Sequence, residues 1–237
     1  MILTVTDNLG GTDTESASVT VTAPTVFARD DFGRTVTGGW GTADVGGAWT
    51  IGGPTTRWSV GGGTGKVSLN VGDGYTAYLP SVSSTGTEVK ALVTTDKVPT
   101  GGGQYVSVIG RRISSTVDYR AKVRMAAGGA VAVWLTRNQS GAETVLSSAT
   151  LAGVSYNAGD SLRVRLQATG TAPTTLRVKV WKVGASEPAA WALTSTDNTG
   201  GFQAAGSAGL YPYLSGSTTN GPVVYSIDEW WVGPPQP

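Results

Sequence analysis

Seven cations and two indoles recur at alternate positions in four short stretches of this chain. In VDYRAKVRM, residues 117–125, Arg120, Lys122 and Arg124 alternate with Tyr119, Ala121, Val123 and Met125. SLRVRLQ sets Arg163 and Arg165 between Leu162, Val164 and Leu166, and TLRVKVW sets Arg177, Lys179 and Trp181 between Leu176, Val178 and Val180. VAVWL places Trp134 between Val133 and Leu135. An indole stacks on the apolar face of a sugar ring, and a guanidinium fork bonds carboxylate, sulfate or phosphate through paired N–H groups. Gathered on one surface, these residues would suit an acidic polysaccharide or teichoic-type polymer better than a neutral glucan.

The elements that must position them are strands. A period of two sends successive side chains to opposite faces, so each stretch buries its apolar set and shows its polar set. If the four strands share one sheet, its open face carries all seven cations and both indoles with a single acid, Asp118. The bland reading of the same pattern is solvent coating, in which long cationic stems cover apolar surface and blunt strand edges.

Composition agrees with strands throughout. The 237 residues include 35 glycines and only 14% charged residues, the profile of an all-β protein of short strands punctuated by turns, and the length suffices for one sandwich. No cysteine and no histidine occur, which removes disulfides, thiolate metal sites and the usual general base. The formal net charge of +1 lacks the global basic footprint of a nucleic-acid binder. No segment has the length or periodicity of a membrane-spanning helix. The first residues alternate like a strand and do not form a signal peptide.

Other residues carry further chemistry. Asp30, Asp31 and Asp228 would become neighbours if the first and last strands of the main domain pair, forming with Glu229 a candidate site for a structural calcium, with Asp44 as an additional ligand. The simpler account is a strand-end Asp capping a turn or pairing with Arg29 or Arg34. Trp40, Trp49 and Trp58 lie among glycine-rich turns; Trp40 and Trp49 read as structural. Tyr211 and Tyr213 flank a proline and alternate to the same side, so they stay candidates for a binding rim. Catalysis has little support: glycoside hydrolysis needs two acids about 5 to 9.5 Å apart, no Glu-x-Asp occurs, and the pair Tyr119 and Arg120 points to opposite faces.

The run ILTVTDNLGGTDTESASVTVTAP resembles the last hairpin of a PKD (polycystic kidney disease) domain over residues 2–24. From ARDDFGR with its following Trp40 and Trp49, through GRR and DYRAKVR, to the closing SIDEWW, the rest resembles the concanavalin A-like, laminin-G-like jelly rolls found as accessory domains of secreted bacterial proteins. The resemblance implies a two-sheet antiparallel β-sandwich, with first and last strands side by side and one sheet forming a shallow ligand face.

The chain thus divides into a PKD-like hairpin and linker at 1–24, a concanavalin A-like sandwich at 25–233 and a linker start at 234–237, the layout of a unit within a larger multidomain protein. The expected function is a secreted, non-catalytic accessory module binding polysaccharide or cell-wall glycan, without nucleic-acid or membrane partners. The alternative is a structural or adhesive surface or phage-tail-like module that contacts a protein.

Overall fold

The computed structural model describes residues 2–16 and 25–237. β1 (Ile2–Thr6) and β2 (Thr12–Ser16) form an antiparallel hairpin in register from Ile2 opposite Ser16 to Thr6 opposite Thr12. Asp7 closes its turn: one carboxylate oxygen accepts from the Leu9 and Gly11 amides at 2.9 and 2.8 Å. The expected closing run SASVTVTAP lies, from Ala17 to Pro24, outside the described residues, as does the end of the hairpin-and-linker division at 1–24.

The body is a sandwich of two antiparallel sheets. Its strands begin with β3 (Ala28–Asp30), β4 (Val36–Thr37), β5 (Thr50–Ile51), β6 (Trp58–Gly61), β7 (Thr64–Leu69) and β8 (Ala77–Ser84). They continue with β9 (Gly86–Thr95), β10 (Gln104–Arg112), β11 (Val117–Met125), β12 (Ala130–Gln139) and β13 (Ala142–Ser155). The last five are β14 (Ser161–Thr169), β15 (Thr174–Lys182), β16 (Leu193–Asp197), β17 (Gly206–Leu214) and β18 (Val223–Gly233). One sheet has the order β13-β12-β11-β10-β17-β8-β5, and the other β16-β15-β14-β9-β18-β7-β6-β4 with β3 also paired to β18. The first and last strands of the body are side by side, with Trp230 opposite Asp30 and Val232 opposite Ala28.

Alternation holds strand by strand. Tyr119, Ala121, Val123 and Met125 of β11, Val131, Val133 and Leu135 of β12, and Leu162, Val164 and Leu166 of β14 are all fully buried between the sheets. Full burial of one such aliphatic side chain is worth roughly 1.5–3 kcal/mol, and this inward set is the main source of cohesion. Local turns fix the β11-β12-β13 meander. Ser140 and Gly141, both at φ above zero, make the two-residue loop between Gln139 and Ala142, the geometry whose twist matches a hairpin.

The expectation that all four basic strands share a sheet is corrected here. β11 and β12 lie in the seven-stranded sheet, whereas β14 and β15 lie in the nine-stranded one. The switch occurs at 156–160. Buried Tyr156 accepts the Thr95 amide at 2.6 Å on its hydroxyl and places its own amide on the Gly129 carbonyl at 2.8 Å, so the chain leaves β13 and crosses to the end of β9. β14 then pairs along β9, from Ser161 opposite Thr94 to Thr169 opposite Gly86.

The glycine-rich N-terminal loops of the body are pinned by an aromatic cluster. Trp40 meets Phe32, Trp49 and Trp58 edge-on at 5.4, 5.0 and 5.0 Å between ring centroids, and Trp49 packs on Trp230 at 5.5 Å. Trp40, Trp49 and Trp58 are buried, the structural role expected of Trp40 and Trp49.

Candidate functional site

The outer face of the seven-stranded sheet collects one part of the expected site. Ser107 of β10 stands opposite Tyr211 of β17 on one side and Lys122 of β11 on the other, and Lys122 stands opposite Trp134 of β12. Tyr211, Ser107, Lys122 and Trp134 therefore form one row across four strands. At about 4.8 Å per strand the row spans roughly 14 Å from tyrosine to indole. Ser107 is the small member, and its shortness opens a trench between taller neighbours. The resulting groove encloses about 700 Å³ and is lined by Tyr105, Tyr211 and Tyr213 as well as Arg120, Lys122 and Glu143.

Cations and rings interleave in the groove and on the face around it. Arg120 lies over the Tyr211 ring at 4.8 Å, Lys122 over Trp134 at 5.1 Å, Arg124 over Tyr105 at 5.7 Å and Arg112 over Tyr78 at 3.8 Å. Such contacts hold the rings in fixed orientation at little further ordering cost. Asp118 pairs with Arg120 and Glu143 with Lys122, whereas Arg112 and Arg124 meet no carboxylate among the described residues. The face therefore keeps two surplus positive charges. Burial pushes the Tyr211 phenol above its ordinary range, so it stays protonated and can donate a hydrogen bond.

A glycine shapes the rim. A Cβ on Gly74 would come within 2.4 Å of the Tyr211 hydroxyl and 3.1 Å of the Tyr213 ring, so this position must lack one for both tyrosines to lie as they do. Tyr211 and Tyr213 point to the same side, as their alternation implies. Tyr105 and Ser107 were missed by sequence reasoning, although QYVSV carries the same alternation between buried Val106 and Val108.

The other expected ligand residues sit across the molecule. Arg163, Arg165, Arg177, Lys179 and Trp181 are on the outer face of the nine-stranded sheet, and three of them are not open. Arg165 bonds Glu88 at 2.9 Å and Glu187 at 2.6 Å, Lys179 bonds Glu187 at 2.9 Å, and both cations lie under the Trp191 ring at 5.0 and 4.9 Å. The loop 183–192 supplies Glu187 and Trp191, folding back over the sheet. Arg165, Lys179 and Trp181 are accordingly buried, whereas Arg177 is exposed and Arg163 half-buried. The backbone of Gln236, in the tail at 234–237, also docks here, its carbonyl accepting from Arg165 and Gln167 at 2.8 and 2.7 Å.

The proposed calcium ligands do not form a cage. Asp30 is fully buried, and its two oxygens accept from both terminal nitrogens of Arg34 at 2.7 Å each, from the Trp49 indole at 2.7 Å and from the Phe32 amide at 2.9 Å. This is the simpler Arg34 pairing, and it leaves Asp30 committed. Asp31 receives no such bonds and lies 3.9 Å from Arg29, while its amide donates to Asp44 at 2.8 Å. Burial raises the Asp228 carboxyl above its ordinary range, and the charges of Glu229 and Asp31 add to that. Among the described residues no three acidic side chains converge as a metal-binding group. The Tyr119 and Arg120 pair is likewise divided: Tyr119 is buried and donates to Asp197 at 2.6 Å.

The comparisons with solved structures address the fold. Carbohydrate-binding module CBM66 from Bacillus subtilis superimposes with a TM-score of 0.54 at 14% identity, covering 78% of this chain and 94% of the module. A legume lectin-like domain from Entamoeba histolytica gives 0.54 at 10% identity, over 79% of this chain and 90% of that domain. An alginate lyase gives 0.51 at 12% identity, over 78% and 86%. No family model matches the chain, and no curated protein matches it in sequence. The body is thus an all-β, two-sheet jelly-roll sandwich of the kind shared by carbohydrate-binding modules and lectin-like domains. A binding module, a lectin-like domain and a lyase share it, so the fold alone does not choose among those activities.

Proposed function

We propose that this protein is a non-catalytic carbohydrate-binding module whose ligand face is the outer surface of the seven-stranded sheet, and that the ligand is an anionic polysaccharide or cell-wall glycan. The observation that carries this reading is the groove floored by Ser107 and walled by Tyr105, Tyr211 and Tyr213, with Trp134 on the next strand beyond Lys122. Tyr105 and Tyr211 supply stacking, with Trp134 beside the groove. Arg112 and Arg124, which meet no carboxylate among the described residues, supply charge-assisted bonds to carboxylate or sulfate groups, while Arg120 and Lys122 add hydrogen-bond donors already shared with Asp118 and Glu143. The two surplus charges favour an anionic chain. The cations of the nine-stranded sheet take no part, because Arg165 and Lys179 are spent on Glu88 and Glu187. A role as an extracellular unit of a larger protein, with a PKD-like neighbour before the sandwich, fits the same reading.

Binding is favoured over cleavage because Glu143, the acid lining the groove, is tied to Lys122, and Asp118 is tied to Arg120. The competing reading, an adhesive or structural module, draws on the nine-stranded sheet, where Glu187 and Trp191 cover much of the cationic set. Affinity electrophoresis through alginate, polygalacturonate and a teichoic-acid-containing wall fraction separates these readings. Retardation that fades with salt and is lost in Tyr211→Ala supports the groove. No retardation by any anionic polymer, or equal retardation of the variant, overturns it. Absence of newly formed unsaturated ends after prolonged incubation supports a binding role, and their appearance makes the groove a lyase site.

A further inference from the structure

A second groove, on the opposite side of the sandwich, has a different chemistry. It encloses about 440 Å³ on the outer face of the nine-stranded sheet, crossing β15, β14, β9, β18 and β3. Trp181, only 9% exposed, closes one end with its edge, and the more open Trp231 forms the other, with Arg163, Lys90 and Glu229 between them.

The construction of the Trp231 end is specific. Between Asp228, opposite Leu92, and Trp231, opposite Lys90, β18 carries one extra residue, a bulge. Glu229 occupies it at φ 49°, a left-handed conformation that non-glycine residues seldom adopt. The bulge turns Trp230 into the core, where it is fully buried, and leaves Trp231 on the outer face. Glu229 is held there by Arg163, both of whose terminal nitrogens meet its carboxylate, one of them at 2.8 Å. Trp231 then lies over Gly233: a Cβ at that position would stand 2.4 Å from the edge of the indole. The Lys90 ammonium lies over the ring at 5.0 Å, so a stacking sugar must share that face with it or move its flexible stem aside. A strained residue, a bulge and a glycine together place one half-buried indole on the outer face, and no packing need of the core requires that outward ring.

The electrostatics of this groove differ from those of the first. Arg29, Lys90 and Arg163 face Asp31, Glu187 and Glu229, and each has a partner: Arg29 with Asp31 at 3.9 Å, Lys90 with Glu88 at 3.0 Å, Arg163 with Glu229, and Glu187 with Arg165 and Lys179. An anionic chain finds no surplus cation here. A hydroxyl-rich neutral ligand finds both donors and acceptors beside an apolar ring, and paired charges serve hydroxyls without being separated. Trp181 and Trp231 stand on strands three places apart and two residues out of register, since Trp181 aligns through Arg163 with Leu92 and Trp231 with Lys90, a separation of roughly 16 Å at 4.8 Å per strand and about 3.3 Å per residue. That span fits a short run of sugar rings lying across the strands.

We infer that the groove between Trp231 and Trp181 is a second carbohydrate site, selective for neutral oligosaccharides, so that the sandwich carries two glycan faces of different charge preference. It rests on its own residues and holds whether or not the seven-stranded face binds anionic polymer. The test is isothermal titration of the full chain with cello-, manno-, xylo- and fructo-oligosaccharides, repeated in high salt, with Trp231→Ala and Tyr211→Ala as paired variants. The expected result is binding of at least one neutral series, insensitive to salt, weakened about tenfold or more in Trp231→Ala and unchanged in Tyr211→Ala. Trp231→Phe, which keeps a ring, should recover part of the loss, and an unchanged melting temperature in all three variants shows that folding is intact. No binding of any of the four series, or equal binding by Trp231→Ala, overturns the inference. Failure of anionic polymers to bind the wild type overturns the proposed function and leaves this site standing.

Discussion

Arg165 donates to Glu88 at 2.9 Å beneath the Trp191 ring, and the two side chains are 6% and 0% exposed. This pair converts a residue that looks like a surface cation into part of the frame. Arg165→Ala leaves Glu88 buried with one bond fewer and Glu187 without its nearest partner. The expected cost is about 3–5 kcal/mol, the usual penalty for removing one partner of a buried ion pair. Chemical denaturation reads it directly, and a loss below 1 kcal/mol would make the pair unimportant for stability.

The same pair sets a pH dependence. Burial pushes the Glu88 carboxyl up, but hydrogen bonds from Arg165, Gln167, the Gln236 amide and Lys90 outweigh it, and the group ends below its ordinary value of 4.5. Asp197, buried but bonded by Tyr119, Thr199 and Arg137, also ends below its ordinary 3.8. A carboxyl with a depressed folded-state value contributes stability that is complete above its unfolded value and is lost as pH falls through the folded one. Asp228, raised by burial, works in the opposite sense and partly offsets them. The melting temperature should therefore hold from neutral pH down to about pH 5 and fall below it. In Arg165→Met the burial of Glu88 is no longer countered by that cation, so the acid-side fall should be shallower. An identical profile in the two proteins would refute the assignment.

Tyr211 and Trp134 are the stacking pair of the proposed anionic-glycan face. Each substitution to Ala should weaken retention by about three- to tenfold, corresponding to roughly 0.5–1.5 kcal/mol of ring contact. Both rings lie outside the core, so the melting temperature should move little. Affinity electrophoresis beside thermal unfolding checks both halves.

Gly74 is a positioning residue for that face. Gly74→Ala must displace the Tyr211 hydroxyl, which would lie 2.4 Å from the new Cβ, and the nearest atoms that Cβ meets all belong to Tyr211 and Tyr213. Retention on anionic polymer should drop as in Tyr211→Ala, while neutral oligosaccharide binding stays unchanged. The double variant Gly74→Ala with Tyr211→Ala should be no worse than Tyr211→Ala alone, a non-additivity that a merely destabilising change would not produce.

Arg111 is fully buried between the sheets, donating to Thr174 at 2.7 Å and to the Gly170 carbonyl at 2.9 Å, with the Thr85 carbonyl also bonded. It ties the end of β10 to the turns between β8 and β9 and between β14 and β15. Burial holds its guanidinium below the ordinary range. Arg111→Met should destabilise the domain by about 3–5 kcal/mol, since several carbonyls lose their donor at once, and Arg111→Lys should not restore it because the fork geometry is lost. Urea titration of the three proteins decides this.

Much of the architecture was legible because period two is a local property. Which residues of β11, β12, β14 and β15 face the core follows from steric alternation within each strand, and the burial of Val123, Val133, Val164 and Val178 agrees with it. The pairing of the terminal strands and the packing of Trp40 and Trp49 in the core were also readable. The site was legible in halves. Arg120, Lys122, Arg124, Trp134, Tyr211 and Tyr213 share one face, whereas Arg163, Arg165, Arg177, Lys179 and Trp181 belong to the other side of the molecule.

What the sequence by itself determined is the two faces of every strand, the hairpins closed by short turns and the all-β class, since each depends on neighbours a few residues apart. What only the tertiary structure decided is which strands lie together and which cations stay free. β14 pairs with β9 some way back in the chain because Tyr156 carries the crossover to Thr95, and Arg165 is covered because Glu88 and Glu187 arrive from distant segments. Sheet membership and charge pairing are set by contacts between remote parts of the chain, and alternation within a strand carries no information about them.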